Sequence, residues 1–96
     1  MSQDLRNLAE EQAELHQILS NPTRLLILRS LAQQERSVGE IAEQIGATLQ
    51  NTSQHLRLMK DKNVLEARRD GQTIFYQIAA GEIGENCKQM LTILDQ

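Results

Sequence analysis

The sequence predicts one mainly α-helical domain that carries a small β-hairpin near its C-terminal end. The chain has 96 residues, which is enough for one hydrophobic core and too few for two. Apolar residues recur at helical spacing in several segments, and most of these segments have a start or stop signal. The pair Asp70-Gly71 separates two β-prone runs, which is a strong hairpin signal.

Two helices are predicted in the N-terminal third of the chain. Residues 4–19 place leucines and isoleucines on one narrow stripe, with glutamates between them. Asn21 is suited to cap the next helix, and Pro22 fits its first position because the missing N–H has no helical partner there. The segment that follows is apolar on nearly all sides, which favours a helix at the centre of the domain.

Two short helices are predicted next, joined by a glycine. Ser37 and Glu40 have the spacing of a capping box, in which each side chain accepts a hydrogen bond from the other residue's backbone N–H. Gly46 suits the left-handed conformation that ends a helix, and Thr48 can cap the helix that follows. We expect the buried side of that second helix to consist of Leu49, Thr52, Leu56 and Met59.

The predicted hairpin is followed by a last helix. Asn63 can end the preceding helix, and Gly81 can break the second strand. One face of the hairpin is expected to carry Leu65, Ala67, Ile74, Tyr76 and Ile78. The stripe of the last helix is expected to carry Ile83, Cys87, Met90, Leu91 and Leu94.

Two capped helices joined by a glycine turn form a helix-turn-helix, and a hairpin directly after them makes it a winged helix. The second helix of such a motif fits the major groove of duplex DNA, where its outward side chains meet base edges. We therefore predict a single winged-helix DNA-binding domain over residues 1–96, with the helix order α-α-α-α-β-β-α. The helix-turn-helix is assigned to residues 37–62 and the wing to residues 64–79.

The outward face of the second motif helix carries side chains that suit base recognition. Amides form paired hydrogen bonds with adenine, and a guanidinium does so with guanine. We predict that bases are read by Gln50, Ser53, Gln54 and Arg57, with Thr48 and Asn51 beside them. The DNA backbone is predicted to be held by Lys60, Arg68, Arg69 and Gln72. The alternative interpretations are an ordinary solvated face and, for the wing, an edge strand kept soluble by charge.

The charge distribution restricts where DNA could bind. The chain has 13 acidic and 10 basic residues, a net charge of -3, which excludes binding through bulk positive charge. Residues 48–70 hold five basic and three acidic side chains, the only segment with a positive balance. One Phe, one Tyr and no Trp are too few aromatic residues for a platform that stacks the bases of single strands.

Other protein classes lack support in the sequence. One cysteine forbids an internal disulfide and a multi-cysteine metal site within the chain, and it fits a reducing compartment. No apolar run is long enough for a membrane, and the N-terminus shows no signal pattern, so a cytoplasmic protein is expected. We find no phosphate loop or paired catalytic groups, so we expect neither an enzyme nor a cofactor.

Four segments together resemble the ArsR/SmtB-type transcriptional regulators. They read NPTRLLIL at 21–28, SVGEIA at 37–42, SQHLRLM at 53–59 and DGQTIFY at 70–76. The resemblance covers about residues 16–79 and implies a homodimer bound to an imperfect palindrome, usually as a repressor. It also implies a dimer interface made by the first and last helices, residues 1–20 and 82–96. The apolar stripes of these two helices are consistent with such an interface, since each stripe needs a surface that covers it.

The metal sites of that family are not preserved. Metal-sensing members carry cysteines at the start of the first motif helix, where this chain has Ser37 and Gly39. Other members use histidines and carboxylates on the last helix, but residues 82–96 contain no His. His16 and His55 each lack the convergent donors that a first-row metal needs. We therefore expect no metal site, and the sequence indicates no inducer.

Two alternatives stay open. Cys87 is either a small buried residue or one half of a pair formed with its symmetry mate, as a redox switch or a shared metal site. The domain could also bind another protein in place of DNA. That function would favour exposed aromatics or Met at the centre of residues 50–57, which instead carry amides, hydroxyls and Arg.

Overall fold

The computed structural model describes residues 3–94 and shows five helices and a small sheet. The elements in chain order are α1 Gln3–Leu19, α2 Pro22–Leu31, β1 Arg36–Ser37, α3 Val38–Ile45, α4 Leu49–Asp61, β2 Leu65–Asp70, β3 Thr73–Ile78 and α5 Glu82–Leu94. The predicted fold class, mainly α-helical with a hairpin after the helix-turn-helix, is confirmed.

The predicted helix caps are present. The Asn21 side chain accepts a hydrogen bond from the Arg24 N–H at 3.2 Å, and Pro22 opens α2. Ser37 and Glu40 form the capping box, with N–O distances of 3.2 Å and 2.9 Å. Gly46 ends α3 in the left-handed conformation with φ 68°. These local signals therefore fix both the start and the end of α3.

The sheet has three antiparallel strands in the order β1-β3-β2. The prediction included only the hairpin and missed β1, which is two residues long and too short to show an alternating pattern. Ser37 pairs with Phe75 in the sheet and also caps α3. The start of the helix-turn-helix is thus attached directly to the wing.

The hairpin turn lies one residue later than predicted. Asp70 pairs with Thr73, so the two-residue loop is Gly71-Gln72. Gly71 has φ 63°, and Gln72 is not in the left-handed region, a combination typical of a type II′ turn. The register also pairs Leu65 with Ile78, and both side chains are buried, so the core fixes the position of the loop.

The core lies between the helices and the inner face of the sheet. Ile27 and Leu28 of α2 are fully buried, which confirms the central position predicted for this helix. One expectation was wrong: Leu49 is 60% exposed, because α4 contacts the core only from Thr52 onward. The predicted hairpin face is present, since Ala67 pairs with Tyr76 on the side of Leu65, although Ala67 itself is exposed because β2 leaves the core after Leu65.

The two terminal helices differ in how much of them is covered. Residues 3–14 of α1 are all exposed, and burial begins at Leu15. In α5, Cys87 and Leu91 are buried, while Ile83 and Met90 are partly buried and pack against the core. The predicted contribution of Leu94 lies outside the described side chains. Within residues 3–94, none of the helices is both long and apolar enough to cross a membrane.

Candidate nucleic-acid interface

The helix α4 separates a buried side from an outward polar side. Thr52, Leu56 and Met59 have no exposed surface, as predicted for the inner side. Thr48 caps the helix, because its Oγ1 accepts a hydrogen bond from the Asn51 N–H at 3.0 Å. The Thr48 hydroxyl therefore has a structural role as a helix cap that does not depend on DNA.

The outward side of α4 is almost free of contacts with the rest of the protein. Gln50, Asn51, Gln54, Arg57 and Lys60 are exposed, whereas Ser53 is half-buried. Within the described part of the chain, no hydrogen bond or ion pair engages the side chains of Gln50, Gln54 or Lys60. These amide and ammonium groups remain available to a partner molecule.

Arg57 is directed along the helix. Its Nε donates to the Ser53 carbonyl at 3.4 Å, a long hydrogen bond that leaves the two terminal guanidinium nitrogens without a protein partner in residues 3–94. A guanidinium needs those terminal nitrogens to bind guanine O6 and N7 together. The geometry is therefore compatible with the predicted base contact.

The two arginines of the wing lie on opposite faces, because successive strand residues alternate. Arg68 lies opposite Phe75, and Arg69 lies opposite Ile74, on the face that also carries buried Leu65. The prediction grouped Arg68 and Arg69 at one tip, and the structure gives them different surroundings.

Arg68 is held by the protein itself. Its Nη2 and Nε donate to the two carboxylate oxygens of Glu35 at 2.5 Å and 3.3 Å. The guanidinium carbon lies 4.7 Å from the centre of the Phe75 ring, and Nη1 is 4.0 Å from Asp70. These hydrogen bonds lower the pKa of the Glu35 carboxyl and raise that of Arg68. Arg68 thereby connects the wing to the segment before β1.

Arg69 and Gln72 complete the wing as exposed polar groups. Neither side chain has a hydrogen-bond or ion-pair partner within residues 3–94. Gln72 lies in the hairpin loop beside Gly71. The part of the wing that is available to a ligand is therefore Arg69 together with the loop.

The remaining candidate, Cys87, is enclosed by the core. Its side chain has no exposed surface, and burial raises the pKa of the thiol to about 11. The thiol is protonated near neutral pH, which disfavours reaction with oxidants because the thiolate is the nucleophile. In this conformation Cys87 is a packing residue, and the redox alternative requires it to become exposed.

Metal-binding side chains are dispersed. Among the described residues, no group of three or more His, Cys, Asp and Glu side chains could hold a metal ion. His16 places Nδ1 2.8 Å from the Gln12 carbonyl oxygen, a contact within its own helix.

Two features of this interface were missed at the level of sequence. Leu49 is exposed at the start of α4, although the helical pattern assigned it to the core. Glu35 binds Arg68 across 33 residues of sequence, a contact that no local spacing reveals. The only sequence signal for this contact was the opposite charge of the two residues.

Comparisons with known proteins agree with this architecture. The profile of the family described as "Bacterial regulatory protein, arsR family" matches residues 21–67. The nodulation protein NolR of Rhizobium meliloti is 39% identical over 75 residues, which make up 78% of this chain and 62% of NolR. The biofilm growth-associated repressor of Xylella fastidiosa is 33% identical over 91 residues, 95% of this chain and 80% of that protein.

A solved structure matches over nearly the whole chain. It is the solution NMR structure of a homodimeric winged helix-turn-helix DNA-binding domain, fragment 1–100 of Mb0332 from Mycobacterium bovis. The TM-score is 0.84 at 33% sequence identity, and the match covers 99% of this chain and 88% of that one. This chain spans less than two thirds of NolR but most of the repressor and of the fragment. Its sequence and fold place it in the arsR family of bacterial regulatory proteins.

Proposed function

We propose that the protein binds duplex DNA at specific sequences as a homodimer and regulates transcription, as a repressor. The observation that carries this proposal is the outward side of α4. Its amides and Lys60 are exposed and without side-chain partners in the described chain, and Arg57 keeps its two terminal guanidinium nitrogens unengaged there, on a helix whose inner side is fully buried. A polar surface of this kind at a capped helix-turn-helix suits the major groove.

The side chains divide into two kinds of contact. Gln50, Ser53, Gln54 and Arg57 are proposed to read base edges, and Asn51 and Thr48 lie at the margin of that surface. Lys60, Arg69 and Gln72 are proposed to contact the DNA backbone. Arg68, also predicted to contact the DNA backbone, is assigned mainly to holding the wing in place, because it lies on the other face of the hairpin from Arg69 and Glu35 already binds its guanidinium.

The homodimer is supported by exposed apolar residues on the terminal helices. Leu8 of α1 is 46% exposed and Ile93 of α5 is 67% exposed, while the first three turns of α1 extend away from the core. We propose that α1 and α5 cover these residues in the dimer. The Mb0332 fragment, with the same fold, is described as homodimeric. Two-fold symmetry would place two α4 helices about 34 Å apart, one DNA turn, on an imperfect palindrome.

The name of the Xylella relative as a repressor favours repression over activation. A regulator that acts on DNA in this way works in the bacterial cytoplasm, and we propose this location.

Selection of bound duplexes from a random pool tests the proposal. We expect enrichment of a palindrome whose half-site centres are 10–10.5 base pairs apart, one DNA turn. Arg57→Ala should cost about 1–3 kcal/mol and relax the preference at one position of each half-site. Arg69→Ala should weaken binding to all sequences alike and reduce the salt dependence.

Arg29→Ala serves as the control, since Arg29 is an exposed cation of α2, outside the α4 surface, the wing and the two helices of the proposed dimer. Its affinity for the selected site should match that of the parent protein. A pool that yields no enriched sequence would refute specific DNA binding and favour the alternative of a protein-binding module.

A further inference from the structure

Leu49 is a largely exposed leucine at the start of α4. It is 60% exposed, the highest value for any leucine in the described chain, and it is the first residue of α4. The preceding Thr48 caps the helix through the Asn51 N–H, so the backbone of this turn is held in place. The side chain therefore projects into solvent from an ordered helix end.

The position of Leu49 continues the row of proposed base contacts. Leu49, Ser53 and Arg57 are spaced by four residues, so they follow one another along one side of α4. The Nε hydrogen bond from Arg57 to the Ser53 carbonyl lies along the same row. In a recognition helix it is the N-terminal residues that contact base edges, which places Leu49 nearest to them.

The apolar side chain of Leu49 limits the groups on DNA that it can recognise. A leucine forms no hydrogen bonds, so it cannot recognise the amide, amino or carbonyl groups of a base edge. The apolar group that the major groove offers is the 5-methyl of thymine. We propose that Leu49 recognises one thymine in each half-site by covering this methyl group. This inference rests on the DNA-binding function proposed above and adds a specificity determinant to it.

Replacing thymine by deoxyuracil in the selected site tests the proposal, because it removes the methyl group and nothing else. Each thymine pair related by the palindrome is replaced in turn, and the affinity is measured by fluorescence anisotropy. Burial of one methyl-sized group predicts a loss of about fourfold per half-site at one position, or roughly fifteenfold for both. Other thymines should show smaller effects.

The variant Leu49→Ala tests whether Leu49 is the side chain that contacts this methyl group. It should bind the thymine site more weakly than the parent does, and it should bind the thymine and uracil forms equally at that one position. Leu58→Ala is the matched control, since Leu58 is a partly exposed leucine, at 39%, elsewhere on α4. It should retain the full preference for thymine.

The outcomes separate this inference from the proposed function. Tight, specific binding without a uracil effect at any thymine, or a Leu49→Ala variant that keeps the parent's preference, would overturn the inference alone. A selected half-site that contains no thymine would also overturn it. A parent protein that binds no duplex would overturn the proposed function, and the inference with it.

Discussion

At the residue scale, Thr52 shows how strictly α4 divides its two sides. The side chain is fully buried, yet its hydroxyl oxygen has no hydrogen-bond partner among residues 3–94. A buried hydroxyl without a partner costs free energy, typically about 1–3 kcal/mol. The residue is polar, but the shape of its side chain, not its hydroxyl, fits the core.

The substitution Thr52→Val therefore tests this packing. Valine has nearly the same shape and no hydroxyl, so we expect the free energy of unfolding to stay the same or rise by about 1 kcal/mol. Urea denaturation measures it. A loss of more than 1 kcal/mol would mean that the hydroxyl has a partner after all, while Thr52→Ala, which leaves a cavity, should destabilise the fold.

Leu49 and Thr52 show what periodicity predicts and what it does not. The helical pattern correctly assigned Thr52 to the inner side, because its neighbours at helical spacing, Leu56 and Met59, are apolar. The same pattern wrongly assigned Leu49 to the core. Periodicity gives the direction of a side chain around the helix axis, but not how far along that axis the core extends.

At the element scale, the wing is attached to the body through Glu35 and Arg68. Hydrogen bonds from Arg68 hold the pKa of Glu35 below its usual value of 4.5. A carboxyl with a lowered folded-state pKa contributes stability above its unfolded pKa, and this contribution is lost as the pH falls through the folded value. The attachment should therefore weaken as the pH falls through the lowered pKa of Glu35.

Titration of the Glu35 side-chain carboxyl by NMR measures this contact. We expect a midpoint below 4.5 in the parent protein and a shift back toward 4.5 in Arg68→Ala. Arg69→Ala is the matched control and should leave the midpoint unchanged, because Arg69 lies on the other face of the hairpin. Identical midpoints in all three proteins would show that Arg68 does not hold Glu35.

The start of α5 depends on a close approach at Gly84. A Cβ atom added there would lie 1.7 Å from the Ala79 carbonyl oxygen, so the helix or the end of the sheet would have to move. We expect Gly84→Ala to destabilise the protein by about 1–3 kcal/mol in thermal unfolding.

Gly39 provides the comparison for that substitution. An added Cβ there meets only the Ser37 Oγ at 4.0 Å, and alanine is the better helix former. Gly39→Ala should therefore be neutral or stabilising by up to about 1 kcal/mol. Equal effects of the two substitutions would contradict the close approach at Gly84.

Elements were predictable from sequence wherever a local signal exists. The capping box of Ser37 and Glu40 and the left-handed Gly46 define both ends of the eight-residue helix α3 from residues that adjoin it. In contrast, β1 depends on pairing with β3, which lies almost 40 residues away, and the hairpin loop is positioned by buried Leu65 and Ile78. Contacts between distant segments decide these features, and no local pattern encodes them.

At the scale of the whole molecule, the terminal helices leave apolar surface exposed. Leu5 and Leu8 are 55% and 46% exposed on α1, and Ile93 is 67% exposed on α5. A chain of this size gains much from a partner that covers such surface. The stripe on α1 was visible in the sequence, but on α5 the predicted stripe residues Cys87 and Leu91 are buried in the core, and the exposed Ile93 lies outside that stripe.

The substitution Leu8→Glu should dissociate the proposed dimer, because it places a charge in the apolar contact. Sedimentation velocity should show a monomer, and the affinity for the palindrome should fall because each half-site is then bound separately. Leu26→Glu is the control, since Leu26 is equally exposed at 47% but lies on α2. Dimers that persist in Leu8→Glu would place the interface elsewhere.

The central claim is that the outward side of α4 lies in the major groove, with the wing beside it. Titration of the ¹⁵N-labelled protein with its selected duplex, followed through backbone and side-chain amide signals, tests this most directly. The account predicts that the largest changes occur at Gln50, Gln54 and Arg57 and at Arg69 and Gln72. Changes concentrated on α2 or on the exposed parts of α5, with the α4 amides unmoved, would contradict it.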